Sequence, residues 1–329
     1  VIPQIFEQLV FNFLLIVLAW QGRGVLSYAY AIVARSVVGV IVMQLIKPWL
    51  PGLSLNRESL RKLLSFGLKF QLNDFLARIK DQLYFLVLGA FLPLQQFGYL
   101  QWAKNWSMYP YNLTVQNVMA ITFPTFSRLQ TQRDLLKRAI EKSIYFIALF
   151  IFPILAGMSI FIYPLTELIP QYQKWQPALP SFVLFALSVA WAAISTPLVN
   201  TLNAIGQINQ TLKLMVMWTV LTWVLTPLLL WKFAFTGVAL AAFLISFTSL
   251  FSVWMVKKYI AVNIFAQVKV QLLATLVMTV LSLLLLPQLS ANLLQLLLTM
   301  FIAAASYTLV LLLLARPRLI MEIKSLRRG

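Results

Sequence analysis

The stretch KFQLNDFLARIKDQLYF, residues 69–85, is decisive for the fold because it carries five charged side chains within a helix-length apolar run. The five are Lys69, Asp74, Arg78, Lys80 and Asp81. Placing an ionised side chain at the centre of a bilayer costs about 2.5–3.5 kcal/mol on insertion scales. If this segment lies in a membrane, its charged groups must either reach the water boundary or face something polar inside the protein.

The composition of the whole chain is that of an integral membrane protein. Of its 329 residues, 61% are hydrophobic and only 10% are charged, and the mean hydropathy is +0.86. Apolar residues fall in successive blocks of about 20, the length at which a helix crosses a ~30 Å hydrocarbon core. The alternating pattern of a membrane β-barrel is absent. The sequence therefore predicts an all-α integral membrane protein.

The chain contains no cysteine and no histidine. This excludes disulfides, thiolate chemistry and imidazole catalysis, and it removes the usual ligands of transition metals. We therefore expect no metal site and no cofactor. The formal net charge of +18 could suggest nucleic-acid binding, but the basic residues are spread among loops between the apolar blocks. That spacing fits the positive-inside rule of membrane proteins, so no nucleic-acid partner is expected.

About ten transmembrane helices are predicted from the lengths of the apolar blocks. They cover residues 5–20, 25–45, 62–92, 97–123, 139–163, 177–202, 212–231, 236–259, 271–288 and 293–314. Short links such as residues 21–24 and 93–96 make consecutive helices antiparallel neighbours.

The charges of the predicted loops support this partition and orient it. One set of alternate loops, with the C-terminal tail, carries 18 basic residues: Lys47, Arg57, Arg61, Lys62, Arg128, Arg133, Lys137, Arg138, Lys142, Lys213, Lys257, Lys258, Lys269, Arg316, Arg318, Lys324, Arg327 and Arg328. The opposite set carries three: Arg23, Lys174 and Lys232. The first set and the C-terminus are therefore expected to be cytoplasmic. Within that set, the basic amphipathic stretch 127–142 has two interpretations: an elbow along the inner leaflet before the next span or, as the favoured one, charges that only retain this loop in the cytoplasm.

The polar residues of the opening stretch form two neighbouring stripes on one predicted helix. The first stripe has a spacing of three or four residues and consists of Gln71, Asp74, Arg78 and Asp81. Residues at this spacing share a helical face, so Arg78 is expected to pair with both carboxylates. The adjacent stripe consists of Lys69, Asn73, Lys80 and Tyr84. No lipid-facing surface would tolerate this polarity over about three turns.

Further basic groups lie deep in other predicted spans. Lys104 is about 10 Å along its helix from the outer end, at 1.5 Å per residue, with Asn105 beside it, and Arg35 is near the middle of an earlier span. Deep basic groups thus outnumber deep acidic groups by five to two. A cavity lined by them would be cationic and would concentrate anions such as phosphates, which arginine binds through its planar fork of donors.

These patterns predict a site. The expected substrate-binding residues are Arg35, Lys69, Asn73, Arg78, Lys80, Lys104 and Asn105. Asp74 and Asp81 are expected to couple an ion or to act as structural partners. Two other interpretations stay open: Lys69 and Lys80 snorkel to the membrane surface, or Asp74, Arg78 and Asp81 form an internal structural clamp.

The run KDQLYFLVLGAFLPLQQFGYLQWAKNWSMYPYNLTVQNVMAITFPTFSRLQ, residues 80–130, carries a resemblance to a known family. Its motifs are Asp81 and Gly89 near the end of one helix, Gly98-Tyr99 opening the next, and a Phe-Pro-x-Phe-Ser-x-Leu element at 123–129. Residues 174–178, KWQPA, also match a loop of that family. In these features the chain resembles the Wzx-type polysaccharide and O-antigen flippases of the multidrug/oligosaccharidyl-lipid/polysaccharide superfamily.

The resemblance implies a MATE-like, two-lobe fold in which this chain lacks the first four of fourteen helices, in keeping with its start at Val-Ile-Pro-Gln rather than Met. The implied organisation is as follows: the last two helices of the N-terminal lobe at 1–46, a cytoplasmic linker at 47–61, a six-helix C-terminal lobe at 62–260, an extra helix pair at 261–315 and a basic cytoplasmic tail at 316–329.

The implied function is flipping of an undecaprenyl-pyrophosphate-linked oligosaccharide, an O-antigen or exopolysaccharide repeat unit, across the bacterial inner membrane by alternating access. The pyrophosphate would be the anion that the basic residues bind. Membrane lipids, a polysaccharide polymerase and a chain-length regulator are candidate partners.

Two other function classes fit the sequence less well than this one. A cation-coupled multidrug exporter would share the fold but would require an acidic cavity for cationic drugs. An integral-membrane polysaccharide polymerase, ligase or glycosyltransferase would require acid/base groups at the membrane surface, whereas the longest outer loop, about 164–176, contains only Glu167 as an acid. The protein is therefore expected not to be an enzyme.

Overall fold

The computed structural model describes residues 2–48, 57–288 and 292–326, and within these ranges it is built from ten long helices. They are α1 (Ile2–Trp20), α2 (Leu26–Ile46), α3 (57–91), α4 (94–128), α5 (Arg133–Leu168), α6 (Leu179–Ala204), α7 (Ile208–Phe233), α8 (Thr236–Lys257), α9 (Ile264–Leu285) and α10 (Leu293–Leu326). A 3₁₀ segment, Pro170–Ala178, joins α5 to α6. Each of the ten helices corresponds to one predicted helix. Most ends differ by up to seven residues, and α10 runs 12 residues beyond its predicted end at 314.

Eight of these helices are long and apolar enough to cross a membrane: all except α3 and α4. The two exceptions are the helices that carry the polar stripes and Lys104. Their polarity is what separates them from the rest, since both are long enough to span a ~30 Å core at 1.5 Å per residue. The expected class, an all-α integral membrane protein, is confirmed.

The chain divides into two compact units, Val1–Arg61 and Lys62–Gly329. In the first unit, α1 and α2 form an antiparallel hairpin whose facing rings include Phe11 and Tyr28, with centroids 5.5 Å apart and edge to face. Of the expected linker at 47–61, residues 49–56 lie outside the described residues, as do residues 327–329 of the expected tail.

In the second unit, α5 and α6 form the centre on which the other helices pack. α6 lies against α4, α5, α7 and α8, and α5 additionally contacts α9 and α10. The main core consists of fully buried apolar side chains on these central helices, among them Ile144, Ile151, Phe182 and Leu198. A second core joins the far half of α5 to α9 and α10, where the Tyr307 hydroxyl donates to the Leu149 carbonyl at 2.7 Å.

Helices α3 and α4 each contain one widened turn of π-helix. In α3 it covers Ile79–Leu83, and in α4 it covers Asn112–Gln116, just after Pro110. A π-turn closes hydrogen bonds from residue i to i+5 instead of i+4, so it rotates the residues that follow it about the helix axis. Such turns occur frequently at functional sites.

The basic stretch 127–142 does not form a separate surface elbow, the less favoured of its two interpretations. Residues 129–132 make a short turn, and from Arg133 onward the chain is one continuous helix through the predicted span to Leu168. The reason is that no glycine or proline interrupts residues 133–152, and Leu136, Ile140 and Ile144 are all fully buried on one continuous face.

The turn between α7 and α8 depends on a glycine. A Cβ atom built on Gly237 would contact the carbonyl carbon and oxygen of Leu229, which are backbone atoms of α7 and cannot move aside easily. The same turn holds Ala234 at φ 52°, in the region that favours glycine.

We predict that Gly237→Ala lowers the melting temperature of the purified protein in detergent, because the new methyl group forces the two helix ends apart at a cost of about 1–3 kcal/mol. Gly157→Ala in α5 is the matched control. Nothing lies within 4 Å of a Cβ at that position, so helix propensity should leave stability unchanged or higher. Equal melting temperatures for the two variants would contradict the described turn.

Candidate functional site

The widened turn of α3 is the centre of a polar cluster in the second unit. It contains Lys80 and Asp81, whose side chains form an ion pair. From α4, Lys104 extends its ammonium group to 3.5 Å from the backbone carbonyl oxygen of Asp81. The structure thus brings together three of the predicted site residues, two basic and one acidic.

The Lys104 ammonium is held by an aromatic ring as well as by oxygen. Its Nζ lies 3.5 Å from the centroid of the Phe85 ring, on the α3 turn that follows the π segment. A cation over an aromatic face is stabilised by the ring quadrupole by about 0.5–2 kcal/mol, and more strongly when it is desolvated. Phe85 was not among the predicted site residues, because an apolar residue in an apolar run carries no sequence signal of this role.

Arg78 pairs with only one of its two predicted carboxylates. Its Nε donates to Asp74 Oδ2 at 2.9 Å, one α-helical turn earlier. The expected second pair, with Asp81, is not formed because the π-turn begins at Ile79 and rotates Asp81 away from the Arg78 face. The predicted three-residue clamp is therefore wrong, and two separate pairs, Asp74–Arg78 and Lys80–Asp81, take its place.

These pairs differ in their access to solvent. The Arg78 side chain is 64% exposed and that of Asp81 is 56% exposed, whereas that of Lys80 is 22% exposed. Lys69 and Asn105 are exposed, and no described residue is seen to bind either of them. Asn73 is half-buried, and its Oδ1 is enclosed without accepting a hydrogen bond from any described residue.

Two contacts with α7 hold α3 in place near its widened turn. The Thr219 hydroxyl is 3.4 Å from the Leu76 carbonyl oxygen, and the Tyr84 ring meets the Trp223 ring edge to face with centroids 5.3 Å apart. These contacts lie on either side of the widened turn. They hold the backbone of α3 on both flanks of the charged residues.

Arg35 belongs to the first unit and is paired there. Its Nε is 3.4 Å from Glu7 Oε2 on α1, and its guanidinium lies 5.9 Å from the Phe11 ring centroid. The Glu7 side chain rests directly on Gly39, where a Cβ atom would collide with the carboxylate. Glu7 was not among the predicted site residues, and it adds a third acidic group that reduces the predicted basic excess. The pairing of Glu7 with Arg35 could have been predicted, because the short link makes α1 and α2 antiparallel neighbours.

An aromatic cluster lies near the first turns of α4. The Trp102 and Trp175 rings are stacked at 5.4 Å and nearly parallel, and Tyr99 meets Trp175 edge to face at 6.2 Å. Trp106 continues the cluster along the same face of α4, four residues after Trp102. The predicted family loop at 174–178 is thereby packed against the predicted Gly98-Tyr99 element.

A large apolar groove begins at this cluster. It has a volume of about 910 Å³ and runs between α5 and α10, with Trp102, Trp106 and Tyr172 at one end. Its walls are almost entirely apolar and include Phe161, Met300 and Leu311. Among the described residues, no group of three or more acidic side chains is close enough to hold a metal ion.

The fold and the polar cluster define a multi-pass membrane protein with an uneven, mainly basic set of ionisable groups on helices otherwise surrounded by apolar spans. Comparison with known proteins gives this class a family. The model of a polysaccharide biosynthesis protein family matches residues 1–180, more than half of the chain, and the chain belongs to that family.

Among solved structures, the chain is similar to one described as "Lipid II flippase MurJ, inward closed conformation". The TM-score is 0.73 at 14% sequence identity, and the match covers 94% of this chain and 67% of that chain. At this identity the likeness shows a shared fold. No curated protein sequence matches the chain. The family match confirms the predicted kinship with polysaccharide biosynthesis proteins, and the fold likeness agrees with the predicted fold.

We predict that Gly39→Ala lowers the melting temperature, because the added methyl group displaces Glu7 and breaks its pair with Arg35. In a Glu7→Ala background the obstruction is gone, so the same substitution should raise stability by up to about 1 kcal/mol through helix propensity. Thermal unfolding of the four proteins in detergent measures both effects. The same sign in both backgrounds would show that Glu7 does not rest on Gly39.

We also predict that Phe85→Leu makes the Lys104 amine react faster with a membrane-permeant acylating reagent. Loss of about 1 kcal/mol of cation–π stabilisation should raise the rate about fivefold. Peptide mass spectrometry after timed labelling gives the rate. Lys69, exposed on α3, serves as the internal control and should react equally in both proteins. An unchanged Lys104 rate would contradict the ring contact.

Proposed function

We propose that this protein flips an undecaprenyl-pyrophosphate-linked oligosaccharide across the bacterial inner membrane by alternating access. The observation that carries the proposal is the cluster of Lys80, Asp81 and Lys104 at the widened turn of α3, with the exposed Arg78 one turn away. The polysaccharide biosynthesis family and the fold likeness to a lipid II flippase support the same class of substrate. On this proposal the protein is a transporter and not an enzyme.

Binding of the pyrophosphate is supported by donors that the internal pairs leave unused. Arg78 uses its Nε for Asp74, and no other described residue is seen to accept from its two terminal amino groups. Those groups are in the planar fork geometry that matches phosphate oxygens, on a side chain that is more than half exposed. Lys104 has donors beyond its contact with the Asp81 carbonyl and supplies a second positive charge.

The carboxylates have a complementary role in this proposal. Asp74 and Asp81 neutralise Arg78 and Lys80 while no anion is bound. An arriving pyrophosphate competes with them for the same donors, and its departure restores the pairs. Either carboxylate, once freed, could accept a coupling cation.

The apolar groove between α5 and α10 is proposed to hold part of the lipid tail. Its wall is apolar along its length, and its aromatic end at Trp102 and Trp106 lies on α4, the helix that also carries Lys104. A tail in this groove would leave the headgroup on the polar face of α3 and α4. Asn105, exposed on α4 next to Lys104, is proposed to contact the headgroup or its first sugar.

The organisation expected from the sequence forms part of this proposal. Residues 1–46 and 62–260 would belong to two lobes joined by a cytoplasmic linker at 47–61, with an additional pair at 261–315. The basic tail at 316–329 would lie in the cytoplasm. Arg35 and Lys69 are also proposed to be substrate-binding residues. A polysaccharide polymerase and a chain-length regulator would receive the translocated product.

The proposal is tested by flipping in proteoliposomes that contain a fluorescent pyrophosphate-linked oligosaccharide lipid. Arg78→Ala and Lys104→Ala should each lower the initial rate at least tenfold, since a charge-assisted hydrogen bond contributes about 1.5–3 kcal/mol. Arg35→Ala should also lower the rate, and Arg35→Lys should retain part of it because the charge is kept.

Lys269→Ala is the matched control, because it removes an exposed positive charge from α9 outside the cluster. Its rate should equal that of the unmodified protein. Normal flipping in Arg78→Ala, Lys104→Ala and Arg35→Ala would reject the anion-binding assignment. Transport of a cationic drug but not of the lipid-linked sugar would favour a multidrug exporter instead.

A further inference from the structure

A second groove in the Lys62–Gly329 unit lies apart from the polar cluster and the groove between α5 and α10. It has a volume of about 760 Å³ and runs among α5, α6, α8 and α9. Its walls are mostly apolar and include Leu155, Ala190, Val253 and Leu272. Among the described residues that line it, Lys257 alone is charged, and it lies at one end together with Asn263.

The dimensions of the groove restrict what it can hold. Along α9 it extends from Asn263 to Thr279, which is about 24 Å at 1.5 Å per residue. The groove is therefore long enough to hold one extended hydrocarbon chain along α9. One leaflet of the hydrocarbon core is about 15 Å deep, so an acyl chain is also short enough.

The charges at the end of the groove favour an anionic headgroup. No described acidic side chain pairs with the Lys257 ammonium, while the neighbouring Lys258 lies 3.4 Å from the centroid of the Trp254 ring. On the packed helices, Glu141 of α5 accepts a hydrogen bond from the Asn263 backbone N–H at 2.9 Å and forms no ion pair with Lys257. Lys257 is therefore free to bind a phosphate at the end of an apolar slot. This end also carries loops of the basic set, which the positive-inside rule assigns to the leaflet rich in anionic lipids.

We propose that this groove binds one anionic phospholipid of the membrane, with an acyl chain along α9 and the phosphate at Lys257 and Asn263. The hydroxyl groups of Ser249 and Thr275 line the groove, and Thr275 Oγ1 is enclosed without a described partner. The site is independent of the proposed flipping activity, because it requires only that the protein lies in a membrane.

The test is lipid binding by the full purified chain, measured by native mass spectrometry during titration with phosphatidylglycerol or phosphatidylcholine. Lys257→Gln should weaken phosphatidylglycerol binding about fivefold, the contribution of one basic residue near an anionic headgroup, and leave phosphatidylcholine binding unchanged. Ala190→Phe, which fills the groove, should weaken binding of both lipids. Lys269→Gln, at an exposed position of α9 outside the groove, should change neither.

Three results would overturn the proposal. The first is unchanged phosphatidylglycerol binding in both Lys257→Gln and Ala190→Phe. The second is an equal loss in Lys269→Gln, which would indicate diffuse surface charge. The third is displacement of phosphatidylglycerol by undecaprenyl phosphate in the unmodified protein but not in Ala190→Phe, which would assign the groove to the substrate tail. Melting temperatures of all variants show whether each one is folded.

Discussion

An ionised side chain among membrane-spanning helices must find an opposite charge, an aromatic face or water, and this structure satisfies that requirement in a different way at each deep charge. Glu7 lies in the space left by Gly39 and reaches Arg35. Lys104 rests on the Phe85 ring and against a backbone carbonyl. Arg78 remains more than half exposed and keeps only Asp74. The residues with the fewest internal contacts are the ones left available to a ligand.

The widened turn of α3 decides which of these partners meet. In an uninterrupted α-helix, Arg78 would lie one turn from both Asp74 and Asp81 and would be neutralised by them. The π-turn Ile79–Leu83 removes Asp81 from that face and turns it toward Lys80 and Lys104. The widened turn thus replaces a three-residue cluster of Asp74, Arg78 and Asp81 with two separate ion pairs that leave donors unused. Such a conversion explains why a backbone irregularity coincides with the charged residues.

The same need to give each charge a partner or access to water explains how apolar and ionisable residues are distributed among the helices of the second unit. α5 and α6 are apolar on nearly all sides and supply the buried core against which the other helices pack. α3 and α4, the two helices too polar to qualify as spans by hydropathy, supply the ionisable groups. The two grooves are lined mainly by the apolar helices α5, α6, α8, α9 and α10, whereas the charged cluster lies on α3 and α4.

The class, the ten helices and the family could be predicted from the sequence, because blocks of apolar residues, loop charges and the elements at residues 81–129 are local patterns that survive without knowledge of the packing. The candidate residues could also be found, since charges are conspicuous in an apolar chain. The partners of these residues could not be predicted from the sequence. Glu7 with Arg35, Phe85 with Lys104 and Trp102 with Trp175 meet across helices, and the failure of Arg78 to reach Asp81 depends on one widened turn. Those choices depend on interhelical contacts and backbone register, which are fixed only when the helices pack together.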